Sequence, residues 1–242
     1  MISKPRPKRA IITGASSGIG KATALEFAKV GIHTALISRS TTKLETVARV
    51  ATESGVEAKA YTVDLADLDK VKENIQTIVA DFGPIDILVN NAGMGYTGNL
   101  SNTPLSDWQK VMDLNLTSVF QCTMGVLPGM REGGRGMIIN VASIAAQTPF
   151  PGWGAYSVSK AGLIAFSKVL AAEERSNGIR VVTISPGAVN TPIWDTDTVD
   201  ADFNRSAMLT PEIIAQSIVH TAMLPEQAVV DEMTIMPSAG AL

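Results

Sequence analysis

The sequence predicts an α/β fold: a doubly wound, seven-stranded parallel sheet with helices on both faces. Short apolar runs alternate with longer stretches that carry apolar residues at helical spacing, from residue 9 to residue 236. That alternation is the pattern of a parallel sheet covered on both sides, and right-handed crossovers then fix a doubly wound order. A second observation lies at the ends of the runs. Glycine, small and amide residues stand after several of them, at the strand ends where such a sheet holds its ligands. No repeat, low-complexity tract or linker divides the 242 residues. That length suits one α/β domain, so residues 1–242 are read as a single domain.

The first strand, 9–13, is the apolar run Arg-Ala-Ile-Ile-Thr. It leads into Gly14-Ala15-Ser16-Ser17-Gly18-Ile19-Gly20, and a helix over 18–30 comes after it, with Ala24, Leu25, Phe27, Ala28 and Val30 at helical spacing. Strand, glycine turn and helix is the context in which a glycine motif binds a dinucleotide. Glycines let backbone amides approach a pyrophosphate, and the helix N-terminus adds partial positive charge. The spacing is Gly-x-x-x-Gly-x-Gly rather than Gly-x-Gly-x-x-Gly. Ser16 and Ser17 either place hydroxyls near the phosphates or cap the helix.

The second strand, 33–38, ends in Ser38-Arg39-Ser40-Thr41, and a helix over 41–54 comes next. A site for NAD needs an Asp or Glu near this point to bind the ribose hydroxyls, and none is present. A guanidinium beside hydroxyls binds a 2′-phosphate through charge-assisted hydrogen bonds. Ser38, Arg39 and Ser40 therefore predict NADP(H) over NAD(H). Strand 58–63 and helix 67–82 continue the alternation. Strand 85–90 then runs into Asn90-Asn91-Ala92-Gly93, and one long helix is expected over 105–131. Strand 136–142, helix 153–176 and strand 179–185 are next, the last running into Ser185-Pro186-Gly187. Residues 190–210 lack a clean period and fall over the strand ends. A helix over 210–223 and a strand over 232–236 close the chain.

The chemistry is concentrated in Tyr156-Ser157-Val158-Ser159-Lys160, with Ser143 upstream. Positions i and i+4 share a helix face, so a lysine ammonium is expected beside a phenol. A free tyrosine titrates near ~10, and a nearby cation is expected to bring it down toward the working pH. Asn115, in Asp113-Leu114-Asn115-Leu116, is a mediocre helix former and reads either as a satisfied core amide or as the anchor of a water. His33 and His220 match no metal spacing, and no metal is expected.

Composition excludes other classes. A net charge of −3 gives no electrostatic reason to expect nucleic acid. The basic cluster Lys4, Arg6, Lys8 and Arg9 reads as a solvated arm. No apolar stretch is long enough for a membrane span, and the N-terminus lacks the apolar core of a signal peptide. Cys122 is the only cysteine, which rules out an intrachain disulfide and fits a buried structural thiol. These features fit a soluble cytoplasmic protein.

Taken in order, Thr13-Gly14-x-x-x-Gly18-Ile19-Gly20, Asn90-Asn91-Ala92-Gly93, Asn115, Ser143, Tyr156-x-x-x-Lys160 and Pro186-Gly187-x-Val189-x-Thr191 resemble the short-chain dehydrogenase/reductase family of the simple single-domain type. The resemblance implies a Rossmann-type fold, a nicotinamide cofactor and alcohol/carbonyl redox chemistry. It places Asp64 and Leu65 beside the adenine, Asn91 and Gly93 along the adenosine ribose, and Ala92 among the cofactor-binding residues. Ile19 falls near the pyrophosphate or nicotinamide, Val189 and Thr191 hold the carboxamide, and Pro186 and Gly187 are further cofactor-binding residues. Tyr156 becomes the general acid, Ser143 the group that polarises the carbonyl, and Lys160 a ligand of the nicotinamide ribose that keeps the phenol acidic. Asn115 becomes the anchor of a water relay, and residues 190–210 a mobile lid.

Substrate-pocket candidates are Ser143, Ala145, Phe150, Trp153, Tyr156 and Trp194, with Met94, Tyr96, Ile144, Gln147, Pro151 and Ala188 as further possibilities that equally suit a core or an interface. Most are apolar, which favours a hydrophobic or aromatic carbonyl substrate and a carbonyl reductase or alcohol dehydrogenase. The stretch Tyr156 to Lys168 also resembles the 3-oxoacyl-(acyl-carrier-protein) reductases, which stand as the alternative. The segment after Thr191 and the ending Met233 to Gly240 depart from that pattern. A non-catalytic NADP-binding sensor is the alternative of another class, disfavoured because Tyr156, Lys160, Ser143 and Asn115 are all kept. The resemblance further implies a homo-oligomer, a tetramer favoured over a dimer. Its expected joints are the helix of Tyr156 with the preceding long helix, and the apolar tail to Leu242.

Overall fold

The computed structural model describes residues 6–240; Lys4 of the basic cluster and Leu242 of the apolar tail lie outside them. Seven parallel strands stand in the order β3-β2-β1-β4-β5-β6-β7. They are β1 (Arg9–Thr13), β2 (His33–Ser38), β3 (Ala58–Thr62), β4 (Ile87–Asn90), β5 (Gly136–Val141), β6 (Ile179–Pro186) and β7 (Glu232–Ile235). The helices are α1 (Gly18–Lys29), α2 (Thr41–Thr52), α3 (Leu68–Phe82), α4 (Leu105–Met112), α5 (Ser118–Glu132), α6 (Gly154–Glu174) and α7 (Pro211–Met223). The doubly wound, seven-stranded Rossmann-type architecture is the one expected. The strand order reverses between β1 and β4, and a ligand crevice opens beyond the carboxyl ends at such a point.

Alternation along each strand builds the two halves of the core. Ala10 and Ile12 of β1, Ile87 and Val89 of β4, and Ile139 of β5 pack on one face with Phe27 of α1, Leu44 of α2 and Ile214 and Ile218 of α7. Ile11, Leu88 and Ile138 point the other way, onto Ile75 and Phe82 of α3, Val126 of α5 and Leu170 of α6. Successive strand side chains point to opposite faces, so strands buried on both sides read as unbroken apolar runs.

Two boundaries differ from expectation. Strand β4 starts at Ile87 rather than residue 85, because the carboxylate of Asp86 turns to the β1 end, accepting from the Arg9 amide (2.8 Å) and the Arg6 guanidinium (2.8 and 2.9 Å). The single helix expected over 105–131 is interrupted by a π-turn at Asp113–Thr117. One widened turn leaves the apolar periodicity almost intact, so sequence spacing does not reveal it. Such turns frequently mark functional positions.

Candidate active site

The crevice begins where β1 ends. Gly14 (φ 66°) and Gly18 (φ 52°) take the left-handed conformation that glycine adopts without a Cβ penalty. The Thr13 hydroxyl accepts from the Asn91 and Ala92 amides (both 3.0 Å) and donates to the Val89 carbonyl (3.3 Å), joining the ends of β1 and β4. The Asn91 side-chain amide donates to the Thr13 carbonyl (3.0 Å) and the Gly14 carbonyl (3.4 Å). Asn91 thus holds the glycine turn in shape. Gly20 was expected among the cofactor ligands; it is buried behind the turn instead. A Cβ there would run into the Gly14 carbonyl oxygen and come within 2.6 Å of the Asn91 amide nitrogen. Ser17 stands at the N-cap of α1 but its hydroxyl makes no capping bond, leaving it and the first-turn amides free for an anion.

From this turn a cleft of about 1010 Å³ extends in both directions. One end, beyond β2 and β3, is lined by Ser38, Arg39, Ser40, Lys43, Val63, Asp64, Leu65 and Ala66. Gly14, Ser16, Ser17, Gly18, Ile19, Asn91, Ala92 and Gly93 line its middle, and Pro186, Gly187, Val189 and Thr191 the far wall. Every cofactor residue expected from the sequence except Gly20 faces this one cleft. Its length, its glycine turn, its uncapped helix ends and Arg39, which has no ion-pair partner among the described residues, fit an extended dinucleotide.

The other end holds Ser143, Tyr156 and Lys160. Ser143 stands just after β5, and its Oγ accepts from the Ala145 amide (3.1 Å), which leaves the hydroxyl hydrogen free to donate. Tyr156 and Lys160 occupy the first turns of α6. The ammonium donates to the Val141 carbonyl (2.8 Å) and lies 5.8 Å from the centre of the Tyr156 ring. Burial pushes Lys160 down from 10.5 to about 8. Burial also raises the Tyr156 phenol above its ordinary value, with the Ser143 hydroxyl working in the opposite direction. The expected lowering of the phenol by Lys160 is not found: burial dominates, and the ammonium is turned toward the β5 carbonyl. The group that acts on the phenol in the expected sense is Ser143.

Asn115 is fully buried in the π-turn and does not border the cleft. Its Oδ1 accepts from the Met94 amide (2.8 Å), and its Nδ2 donates to the Met94 carbonyl (3.0 Å) and the Ser159 hydroxyl (3.1 Å). Of the two readings open in the sequence, the satisfied core amide describes the side chain; both of its donors are spent and none is left for a water. A Cβ at Gly93 would approach Asn115 Oδ1 to 3.0 Å and Lys160 Nζ to 3.6 Å, so glycine there lets the β4 loop lie against both.

Ala145, Phe150, Trp153 and Trp194 all line the cleft, with Ser143 and Tyr156. Trp153 meets Tyr156 edge to face at 5.5 Å and Trp194 at 5.8 Å, and Trp194 meets Phe203 at 5.2 Å. The Trp194 indole donates to the Val189 carbonyl (2.7 Å). Two further candidates point elsewhere. Gln147 is exposed and bonded to Glu232 of β7, and the Tyr96 hydroxyl donates to Asp107 (3.3 Å). Sequence reasoning missed Lys43, Ile193, Val199, Phe203 and Met236. Lys43 was legible as the residue one helical turn after Arg39, and Met236 as the end of the strand expected over 232–236; Ile193, Val199 and Phe203 lie in the aperiodic segment 190–210 and offered no signal. The segment 190–210 covers this end, fastened by Thr198 donating to the Gly95 carbonyl (2.8 Å), the Thr97 amide to the Thr198 carbonyl (2.9 Å) and the Asp200 amide to the Thr97 hydroxyl (2.7 Å).

Among known proteins, the model of the short chain dehydrogenase family matches residues 8–201. A 3-oxoacyl-[acyl-carrier-protein] reductase of Synechocystis is 37% identical over 237 residues, covering 96% of this chain and 95% of that one. A glycine betaine reductase of Emericella nidulans is 33% identical over 237 residues, 95% of this chain; the match spans only 19% of that longer protein. The structure of an alcohol dehydrogenase from Thermococcus sibiricus, complexed with 5-hydroxy-NADP, superposes with a TM-score of 0.89 at 27% identity, over 98% of this chain and 99% of that one.

Proposed function

The chain belongs to the short-chain dehydrogenase family and is an oxidoreductase of that family, and we propose that it is an NADP(H)-dependent carbonyl reductase acting on hydrophobic or aromatic ketones and aldehydes. The observation that carries the reading is the convergence of Ser143, Tyr156 and Lys160 on an aromatic-walled end of a cleft whose other end presents Arg39. Bound reduced nicotinamide supplies the hydride that the carbonyl carbon accepts. The chain supplies the rest. Ser143, whose hydroxyl hydrogen is not spent on the backbone, donates to the carbonyl oxygen and stabilises the developing negative charge. Tyr156, kept protonated by burial, hands its proton to that oxygen as the new alcohol forms. Lys160 has two N–H groups left after its bond to Val141 and offers them toward the cofactor ribose. Its charge, one helical turn away, steadies the phenolate that remains. Arg39 receives the 2′-phosphate.

The second reading, reduction of 3-oxoacyl thioesters, is favoured by the Synechocystis relative. The apolar, aromatic lining with Trp153, Trp194 and Phe203 favours the first. NADPH consumption with a panel of aryl ketones and acetoacetyl thioesters separates the two. Faster turnover of the thioesters overturns the substrate assignment, and no turnover of any carbonyl compound overturns the reaction. Tyr156→Phe should lose at least ~10²-fold in rate, the lower figure for general acid catalysis, while still binding NADPH; near-normal turnover refutes its role. We further propose a homo-oligomer joined through α5 and α6, where Phe120, Val158 and Val169 are exposed, with a tetramer expected by light scattering.

A further inference from the structure

The nucleotide end of the cleft holds a second cation that the proposed reaction does not use. We propose that Lys43 is the partner of Arg39 in binding the 2′-phosphate, so that cofactor choice rests on two cations rather than one. This rests on the NADP(H) reading. Both side chains line the same end of the cleft with Ser38 and Ser40. They stand four positions apart, at the entry and in the first turn of α2. Cations elsewhere on these elements are engaged: Arg49 pairs with Glu53, and Lys59 with Glu57 and Asp81. Among the described residues, Arg39 and Lys43 have no such partner.

The hydroxyls that the sequence offers here are partly committed. Ser38 Oγ accepts from the Ser40 amide (3.1 Å), and Thr41 Oγ1 is paired with Thr62 Oγ1 (2.8 Å). A phosphate dianion brings more acceptor positions than Arg39 and one serine fill, and a lysine ammonium with three free donors supplies what is missing. The placement is otherwise unfavourable. A lysine in the first turn of a helix faces the positive end of the dipole, and α2 has no acidic residue there to offset it. A bound dianion reverses the sign of that interaction.

The test is isothermal titration of wild type, Lys43→Ala, Arg39→Ala and Lys72→Ala with NADPH, NADH, 2′,5′-ADP and 5′-AMP. Lys72 is an exposed lysine on α3 outside the cleft and controls for loss of one charge. Lys43→Ala should weaken NADPH and 2′,5′-ADP about 3- to 10-fold, the range for a charge-assisted bond discounted for exposure, and leave the affinity for NADH and 5′-AMP in place. Lys72→Ala should change none of the four. An NADPH/NADH ratio in Lys43→Ala equal to wild type, with the wild-type preference for NADPH intact, overturns the role of Lys43 and leaves the cofactor assignment standing. A wild type without preference between 2′,5′-ADP and 5′-AMP overturns the cofactor assignment itself.

Discussion

Replacing Lys160 by methionine should stabilise this protein at neutral pH while removing its activity. The ammonium is buried, and burial lowers its pKa from 10.5 to about 8. At ~1.36 kcal/mol per pH unit, that drop means folding sacrifices about 3 kcal/mol to keep the charge inside. Methionine fills similar space without the charge. It leaves the Val141 carbonyl unpaired, at a cost of about 1–3 kcal/mol for a buried acceptor. The balance is a gain of up to about 2 kcal/mol, or roughly 4–8 °C in Tm for a domain of this size. Its pH dependence isolates the charge. Between pH 8 and 10.5 the unfolded wild type binds the lysine proton that the folded protein has released, so wild-type stability rises with pH in that window. The advantage of the variant should therefore be full below about pH 8 and shrink by about 3 kcal/mol as pH rises to 10.5. Differencing the two proteins cancels the titration of every other group. Denaturant unfolding from about pH 7 to 10.5 measures it. A difference that stays flat across the window, or grows, refutes the burial argument.

Two further outcomes come from the same geometry. Because burial disfavours the Tyr156 phenolate, carbonyl reduction should be nearly independent of pH through neutrality. Alcohol oxidation, which needs the phenolate as its base, should climb steadily into alkaline solution. An oxidation optimum at or below about pH 7 contradicts the direction of the shift. Gly20→Ala should push the glycine turn apart, since the added Cβ meets the Gly14 carbonyl and the Asn91 amide. A loss of about 1–3 kcal/mol in stability and a weaker NADPH affinity are expected, and a variant matching wild type in both thermal unfolding and titration shows that the turn is not so tightly packed.

Local pattern was enough to specify the fold and to name many of the residues that line the cleft. Unbroken apolar strands, helical spacing between them and a glycine turn after β1 dictate a parallel sheet, because backbone hydrogen bonding and burial on both faces leave few other solutions. The spacing of Tyr156 and Lys160 likewise puts them on a shared helix face. Where the ends of long side chains go is a different matter, settled by which partners distant elements leave available. The Val141 carbonyl captured Lys160, the Met94 backbone occupied Asn115, Glu232 drew Gln147 outward and Asp107 drew Tyr96. None of those partners is adjacent in sequence, so no periodicity announces them. The same holds for the π-turn, which re-aims Asn115 without disturbing the apolar pattern, and for Phe203 and Val199, carried over the cleft by a segment hydrogen-bonded to the loop after β4. Tertiary structure also set the electrostatics. Desolvation depends on what surrounds a group in three dimensions, and here it reversed the expected direction for Tyr156.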